Sequence, residues 1–187
     1  MNVRVAVRAR PMSGSEIARG SKSCVTMSPN GQVQITNLNS RRGADPPKTF
    51  TFDFAYDDHT EQSKVYEELG APLITKALEG FNGTIFAYGQ TGSGKTWSMM
   101  GAIPSNPGII PSLNTDLFNR IDEDVKTSTS STKIQFLVTI TYVEIYNEIL
   151  RDLLNPTDQK LEIRENKTKG VFIQNVSEVI AHNSDDI

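Results

Sequence analysis

Eight residues constrain this chain more than any others: Gly89, Gln90, Thr91, Gly92, Ser93, Gly94, Lys95 and Thr96. They fit the spacing G-x-x-x-x-G-K-[ST]. Glycines at these places let successive backbone N–H groups turn inward around an anion. Lys95 adds a mobile positive charge for outer phosphate oxygens, and the Thr96 hydroxyl can ligate Mg²⁺. The start of a following helix would add its partial positive charge. From average composition, a chance match in a chain this long is on the order of 1%, so phosphate binding is the working expectation.

Such a loop needs a strand before it and a helix after it. Residues 83–88, Gly-Thr-Ile-Phe-Ala-Tyr, predict a short buried strand. After Gly101, Pro104 and Pro107 mark a break. A second helix is expected from residue 111 to about 124, with Leu113, Leu117 and Ile121 spaced by four, so the helix after the loop is interrupted.

Upstream, residues 3–8 predict a strand with Val3, Val5 and Val7 on one face, followed by a polar connector over 13–20. Strands over 24–27 and 32–35 flank a turn at Pro29-Asn30-Gly31, and 41–47 is a loop. Residues 49–54 alternate Phe50, Phe52 and Phe54 with polar neighbours and predict one half-buried strand. Thr60 is the expected N-cap of a helix carrying Val65, Leu69, Leu73, Ile74, Ala77 and Leu78. Pro72 cannot donate to its ladder, so a distortion is expected near Gly70 and Pro72.

Downstream, 125–132 is a Ser/Thr-rich loop and 133–142 is apolar on both sides, which predicts an interior strand. Residues 148–154 read as a short helix or turn. Strands over 161–164 and 170–174 enclose a charged loop, and Asn183-Ser184-Asp185-Asp186 has the form of a helix start. The order of elements points to an α/β fold around a mainly parallel sheet.

Composition narrows the function. The chain of 187 residues is 37% hydrophobic, enough to build a core. Its formal charge is −3, from 19 Lys and Arg against 22 Asp and Glu, which argues against a general nucleic-acid binder. Cys24 is the sole cysteine, so an internal disulfide and a cysteine zinc cluster are both excluded, in keeping with a reducing compartment. His59 and His182 are far apart and show no metal spacing. No apolar run is long enough for membrane insertion.

The run Phe81 to Thr96, FNGTIFAYGQTGSGKT, strongly resembles the kinesin motor domain. Val5 to Pro11, VAVRARP, resembles that family's opening strand and its R-x-R-P element. Val65-Tyr66 with Leu78-Glu79-Gly80 resembles the helix before the loop's strand. Tyr142 to Ile149 with Arg151 to Leu154, and Gly170 to Val176, resemble later strands in the same order. The subfamily stays open: residues 13–22 and Met99-Met100-Gly101 are somewhat similar to the vesicle-carrying kinesin-3 type.

The resemblance implies a P-loop NTPase fold, a central mainly parallel sheet flanked by helices, with residues 1–187 as the N-terminal part of one motor domain. It implies binding of ATP or ADP with Mg²⁺, and ATP hydrolysis that drives movement along microtubules, in the cytoplasm on the cytoskeleton. Gly89, Gln90, Thr91, Gly92, Ser93, Gly94, Lys95 and Thr96 would hold the polyphosphate. Lys95 and Thr96 would be the catalytic members, and Thr96 the metal ligand. Arg8, Arg10 and Pro11 would border the adenine, with Tyr66 packing nearby. Trp97 stands where the family often has His and would flank the base. Lys160, Arg164, Lys167 and Lys169 cluster where the family touches tubulin.

Two family elements that complete hydrolysis, a Ser-Ser-Arg-Ser-His stretch and an Asp-Leu-Ala-Gly stretch, do not occur, and no Asp-x-x-Gly is present at all. The expectation is a motor domain cut before both switch elements, which is not hydrolysis-competent by itself. The competing reading is a nonhydrolysing nucleotide-binding or interaction module, complete as it stands. A GTPase is rejected, because Lys169 replaces the Asp of the guanine signature at Asn166-Lys167-Thr168.

Overall fold

The computed structural model describes residues 3–39, 46–128, 134–157, 160–168 and 170–187. They form two units, Met1–Leu113 and Asn114–Ile187. Among the described residues no helix is long and apolar enough to cross a membrane.

The first unit opens with β1 (Ala6–Arg8), α1 (Gly14–Ala18), β2 (Val25–Met27), β3 (Gln32–Ile35), β4 (Lys48–Thr51) and β5 (Phe54–Tyr56). β1 and β5 pair in parallel, with Ala6 opposite Phe54 and Arg8 opposite Tyr56. β2, β3 and β4 form an antiparallel sheet in that order. Tyr56, Val65 and Ile109 are the buried centre, and Ala6, Phe54, Leu69, Ile85 and Met99 pack on them.

Four expectations change here. The strand expected over 3–8 is shorter, and Ala6 rather than the valine face meets the core, with Val3 and Val5 exposed. The single strand expected over 49–54 is two. Phe52 N donates to Gly31 O, Asp53 N then turns to Val5 O, and the chain crosses from one sheet to the other. The connector over 13–20 contains α1, which is started by a capping box between Ser13 and Glu16. Thr60 is not the N-cap. Its hydroxyl donates to Asp57 in the preceding turn, and Glu61 occupies the cap position without a side-chain bond.

The expected helical distortion is present. α2 (Gln62–Val65) leads into one wide turn, Tyr66–Gly70, closed by Ala71 N donating to Tyr66 O five residues back. α3 (Ala71–Leu78) follows, with Pro72 in its first turn where no donor is needed. The missing Cβ of Gly70 lets the Tyr66 ring lie over the backbone; a Cβ there would sit 2.5 Å from Tyr66 Cδ2.

The expected buried strand over 83–88 is not formed. The segment forms no regular element and belongs to none of the described ladders, and Phe86 and Tyr88 are 81% and 95% exposed. Apolar β-branched and aromatic residues favour a strand, but a strand also needs a neighbour's N–H and C=O groups. Within this segment only Ile85 reaches the core.

The helix after the loop is interrupted as expected. α4 (Lys95–Met99) ends before a small hairpin of β6 (Gly101–Ala102) and β7 (Asn106–Pro107). α5 (Ile109–Thr127) then begins; the division between the two units falls within it.

In the second unit come β8 (Val138–Ile140), β9 (Val143–Tyr146), β10 (Ile149–Asp152), β11 (Glu162–Asn166), β12 (Gly170–Gln174) and β13 (Val179–Ala181). The ladders β8·β13, β9·β10 and β11·β12 are all antiparallel. The interior strand expected over 133–142 is only β8, with Leu137 exposed, and residue 133 lies outside the described residues. The helix or turn expected over 148–154 is a hairpin. Asn147 and Glu148 both take positive φ (50° and 62°), the form of a two-residue hairpin turn. The strands around 161–174 and the capped turn at Asn183 match expectation. Buried Asp152 ties this unit together by accepting from the backbone N–H of Leu154, Asn155 and Ser177 (2.9, 3.1 and 2.7 Å). Those backbone donors, Ser177 foremost, hold its carboxyl below the usual range.

The mixed α/β content agrees with the sequence reading. Parallel pairing, among the described ladders, is confined to β1·β5.

Candidate functional site

The glycine-rich loop closes on itself. Lys95 Nζ donates to the carbonyl oxygens of Gly89 (2.7 Å) and Gln90 (2.9 Å), and Ser93 N donates to Gln90 O (3.2 Å). Gly94 takes a left-handed φ of 98° just before α4 begins. A Cβ on Gly89 would come within 2.4 Å of Ser93 Oγ, so side chains are excluded where the loop is tightest. Among the described residues no carboxylate pairs with Lys95; two carbonyl dipoles meet its charge. An ammonium held only by neutral acceptors is free to exchange them for anionic oxygen. Thr96 stands in the first turn of α4, exposed, with its carbonyl taken by Met100 N (2.8 Å). The chemistry of these groups fits a magnesium-bound polyphosphate, whose oxygens Lys95 could meet and whose metal the Thr96 hydroxyl could ligate.

Arg10 is brought to the same loop. Its Cβ lies 3.7 Å from the position a Cβ on Gly94 would take. Its guanidinium forks onto both Glu16 oxygens (2.8 and 2.6 Å) and also donates to Pro11 O (2.8 Å). Ser13 N donates to Glu16 as well (2.7 Å). These bonds, the one from Arg10 foremost, pull the Glu16 carboxyl down to about 2, and the same pair raises Arg10. Pro11 is exposed.

Arg8 is engaged elsewhere. Its guanidinium donates to Gln62 Oε1 (2.5 Å), Ser98 Oγ (3.2 Å) and Thr60 O (3.0 Å). All three partners are neutral, and burial lowers the Arg8 pKa. Gln62 is only 3% exposed, and its Nε2 donates to Trp97 O (2.5 Å). The Trp97 side chain is exposed. Tyr66 lines a groove of about 470 Å³ together with Glu61, Gln62, Glu67, Asn106 and Pro107.

The structure therefore gathers Arg10 and the loop, and links Arg8 to the far end of α4. Sequence reasoning missed Gln62, Ser98 and Glu16. Ser13-x-x-Glu16 carried a readable capping signal. Gln62 carried none, because its role depends on where two helices meet. In the second unit, Lys160 and Lys167 are exposed, Arg164 is hydrogen-bonded to Glu162, and Lys169 lies outside the described residues.

The family model of the kinesin motor domain matches residues 8–187. Kinesin-like protein KIF1C of Homo sapiens is 38% identical over 196 residues, spanning 100% of this chain and 17% of its own length. Kinesin-like protein KIF3C of Mus musculus is 41% identical over 189 residues, spanning 99% of this chain and 23% of its own length. Kinesin-like protein KIF1A of Rattus norvegicus is 38% identical over 196 residues, with 100% and 11% spanned. The chain thus spans less than a quarter of the length of these relatives. With the family match running from residue 8 to residue 187, through the glycine-rich loop, the chain belongs to the kinesin motor-domain family.

Proposed function

We propose that residues 89–96 bind the polyphosphate of ATP or ADP with Mg²⁺, and that the protein uses ATP hydrolysis to move along microtubules. The observation that carries the reading is the Lys95 ammonium at the centre of the glycine loop, met by two carbonyl oxygens and, among the described residues, by no carboxylate. Bound Mg²⁺ would neutralise phosphate charge. The chain's own part is to supply inward N–H groups, the Lys95 charge and the Thr96 hydroxyl. Arg10, beside Gly94, supports a place for the base on that side of the loop, with Pro11 bordering it. Arg8, Tyr66 and Trp97 would complete that side, with the Arg8 guanidinium already held by Gln62, Ser98 and Thr60. Lys160, Arg164, Lys167 and Lys169 would steer the acidic tubulin surface, with Arg164 weakened by its bond to Glu162.

A second reading concerns turnover. These 187 residues contain no Asp-x-x-Gly, which favours binding without hydrolysis by this stretch alone, as the N-terminal part of a motor domain. The test is titration with MgATP followed by turnover assays with and without microtubules. Binding is expected, and Lys95→Ala should weaken it at least ~10-fold, the size of a lost charge-assisted hydrogen bond. Equal binding by the variant overturns the assignment. Microtubule-stimulated turnover by this stretch alone overturns the second reading.

A further inference from the structure

We infer that Gln62 is a positioning residue for the nucleotide site, acting through the Trp97 carbonyl to anchor the helix that follows the glycine loop. The inference rests on the reading that this loop binds polyphosphate.

α4 has five residues, too few to hold its own position. The bonds at its two ends run from Ser98 N to Gly94 O and from Met100 N to Thr96 O. In a longer helix the Trp97 carbonyl would accept from residue 101. Here Gly101 turns away with φ of 70° into β6. The orphaned carbonyl is met instead by Gln62 Nε2 at 2.5 Å. The other end of the same amide accepts from Arg8 at 2.5 Å, and Arg8 in turn donates to Ser98 Oγ. One buried amide thus joins β1, α2 and α4, and uses a donor and an acceptor at once. Lys95 and Thr96 lie one or two residues before the anchored carbonyl. A helix free to slide at Trp97 would carry both phosphate-facing groups with it.

Two substitutions at position 62 probe this differently. Gln62→Glu keeps an acceptor for Arg8 but places an oxygen against the Trp97 oxygen. Gln62→Leu removes both bonds. Because the anchor acts on the phosphate side, both variants should weaken MgATP and magnesium tripolyphosphate alike, by about tenfold, the effect of leaving a buried acceptor unmet. A role in stability alone would lower the melting temperature and leave both affinities unchanged well below it.

The experiment is calorimetric titration of the whole chain and both variants with each ligand, paired with amide hydrogen exchange in the absence of ligand. Parallel losses for both ligands, with faster exchange at Ser98 and Met100, support the proposal. Affinities within about twofold of the parent chain in a folded variant overturn it, as does a loss confined to ATP. If neither variant folds, the parent chain decides. Ser98 and Met100 amides as protected as the β1·β5 ladder support the anchor, and unprotected ones refute it. If the parent chain binds neither ligand, the loop reading itself has failed, and exchange alone reports whether Gln62 anchors α4.

Discussion

Lys95 reaches back across the loop to donate to the Gly89 carbonyl at 2.7 Å, six residues earlier in the chain. Its second bond, to Gln90 O, closes the turn from the inside. The same ammonium thus shapes the loop and offers the charge an anion would take. Lys95→Ala is expected to destabilise the fold by only about 1 kcal/mol, the net worth of such hydrogen bonds. Its effect on MgATP binding should be larger. Urea unfolding and calorimetry on the same preparation separate the two; a large stability loss with intact binding would refute this division.

The Arg10–Glu16 pair predicts an acid-side signature. Glu16 titrates at about 2 in the folded chain against an ordinary value of 4.5. A lowered carboxyl contributes stability that is complete above its unfolded value and disappears as pH falls through the folded one. The contribution should therefore be full above about pH 4.5, decline below it, and be gone near pH 2. The substitution Glu16→Gln keeps an acceptor for Ser13 N but removes the titrating group. It should flatten the melting temperature between those two pH values and lower it slightly at pH 7. A Glu16 carboxyl midpoint near 4.5 by NMR would contradict the pairing.

Gly70 and Tyr66 should be energetically coupled. A Cβ at Gly70 would lie 2.5 Å from the Tyr66 ring, so Gly70→Ala must displace the ring or the wide turn. Overpacking of this kind costs typically ~1–3 kcal/mol. Tyr66→Ala would remove the obstacle, so the double variant should lose less than the sum of the two single ones. Additive losses in a double-mutant cycle would show that the contact is not what excludes a side chain.

Phe86 and Tyr88 lie on a segment outside every described ladder and are largely exposed. An apolar edge of this kind recruits other strands. The isolated chain is expected to self-associate as concentration rises, or to melt without cooperativity. Phe86→Lys should shift it toward monomer. Sedimentation velocity across a concentration series tests this; a cooperative monomer at every concentration would remove the prediction.

The sequence alone determined the local chemistry. The spacing from Gly89 to Thr96 carries the proposal of a phosphate-cradling turn, because glycine, lysine and hydroxyl in that order form a pattern readable without the rest of the chain. Pro72 announced the distorted helix, and Pro104 and Pro107 the break after Gly101, because a missing donor acts locally. Pro29-Asn30-Gly31 marked its turn for a similar reason. Tertiary structure decided everything that depends on a partner. Residues 83–88 have the residue types of a strand but no described ladder, since pairing is a property of two segments. Residues 49–54 alternate like one strand yet serve two sheets, since Phe52 and Asp53 bond in different directions. Gln62 looks like any polar helix residue until α4 arrives against it. Its two hydrogen bonds span 54 and 35 positions of the chain, a separation no local pattern encodes.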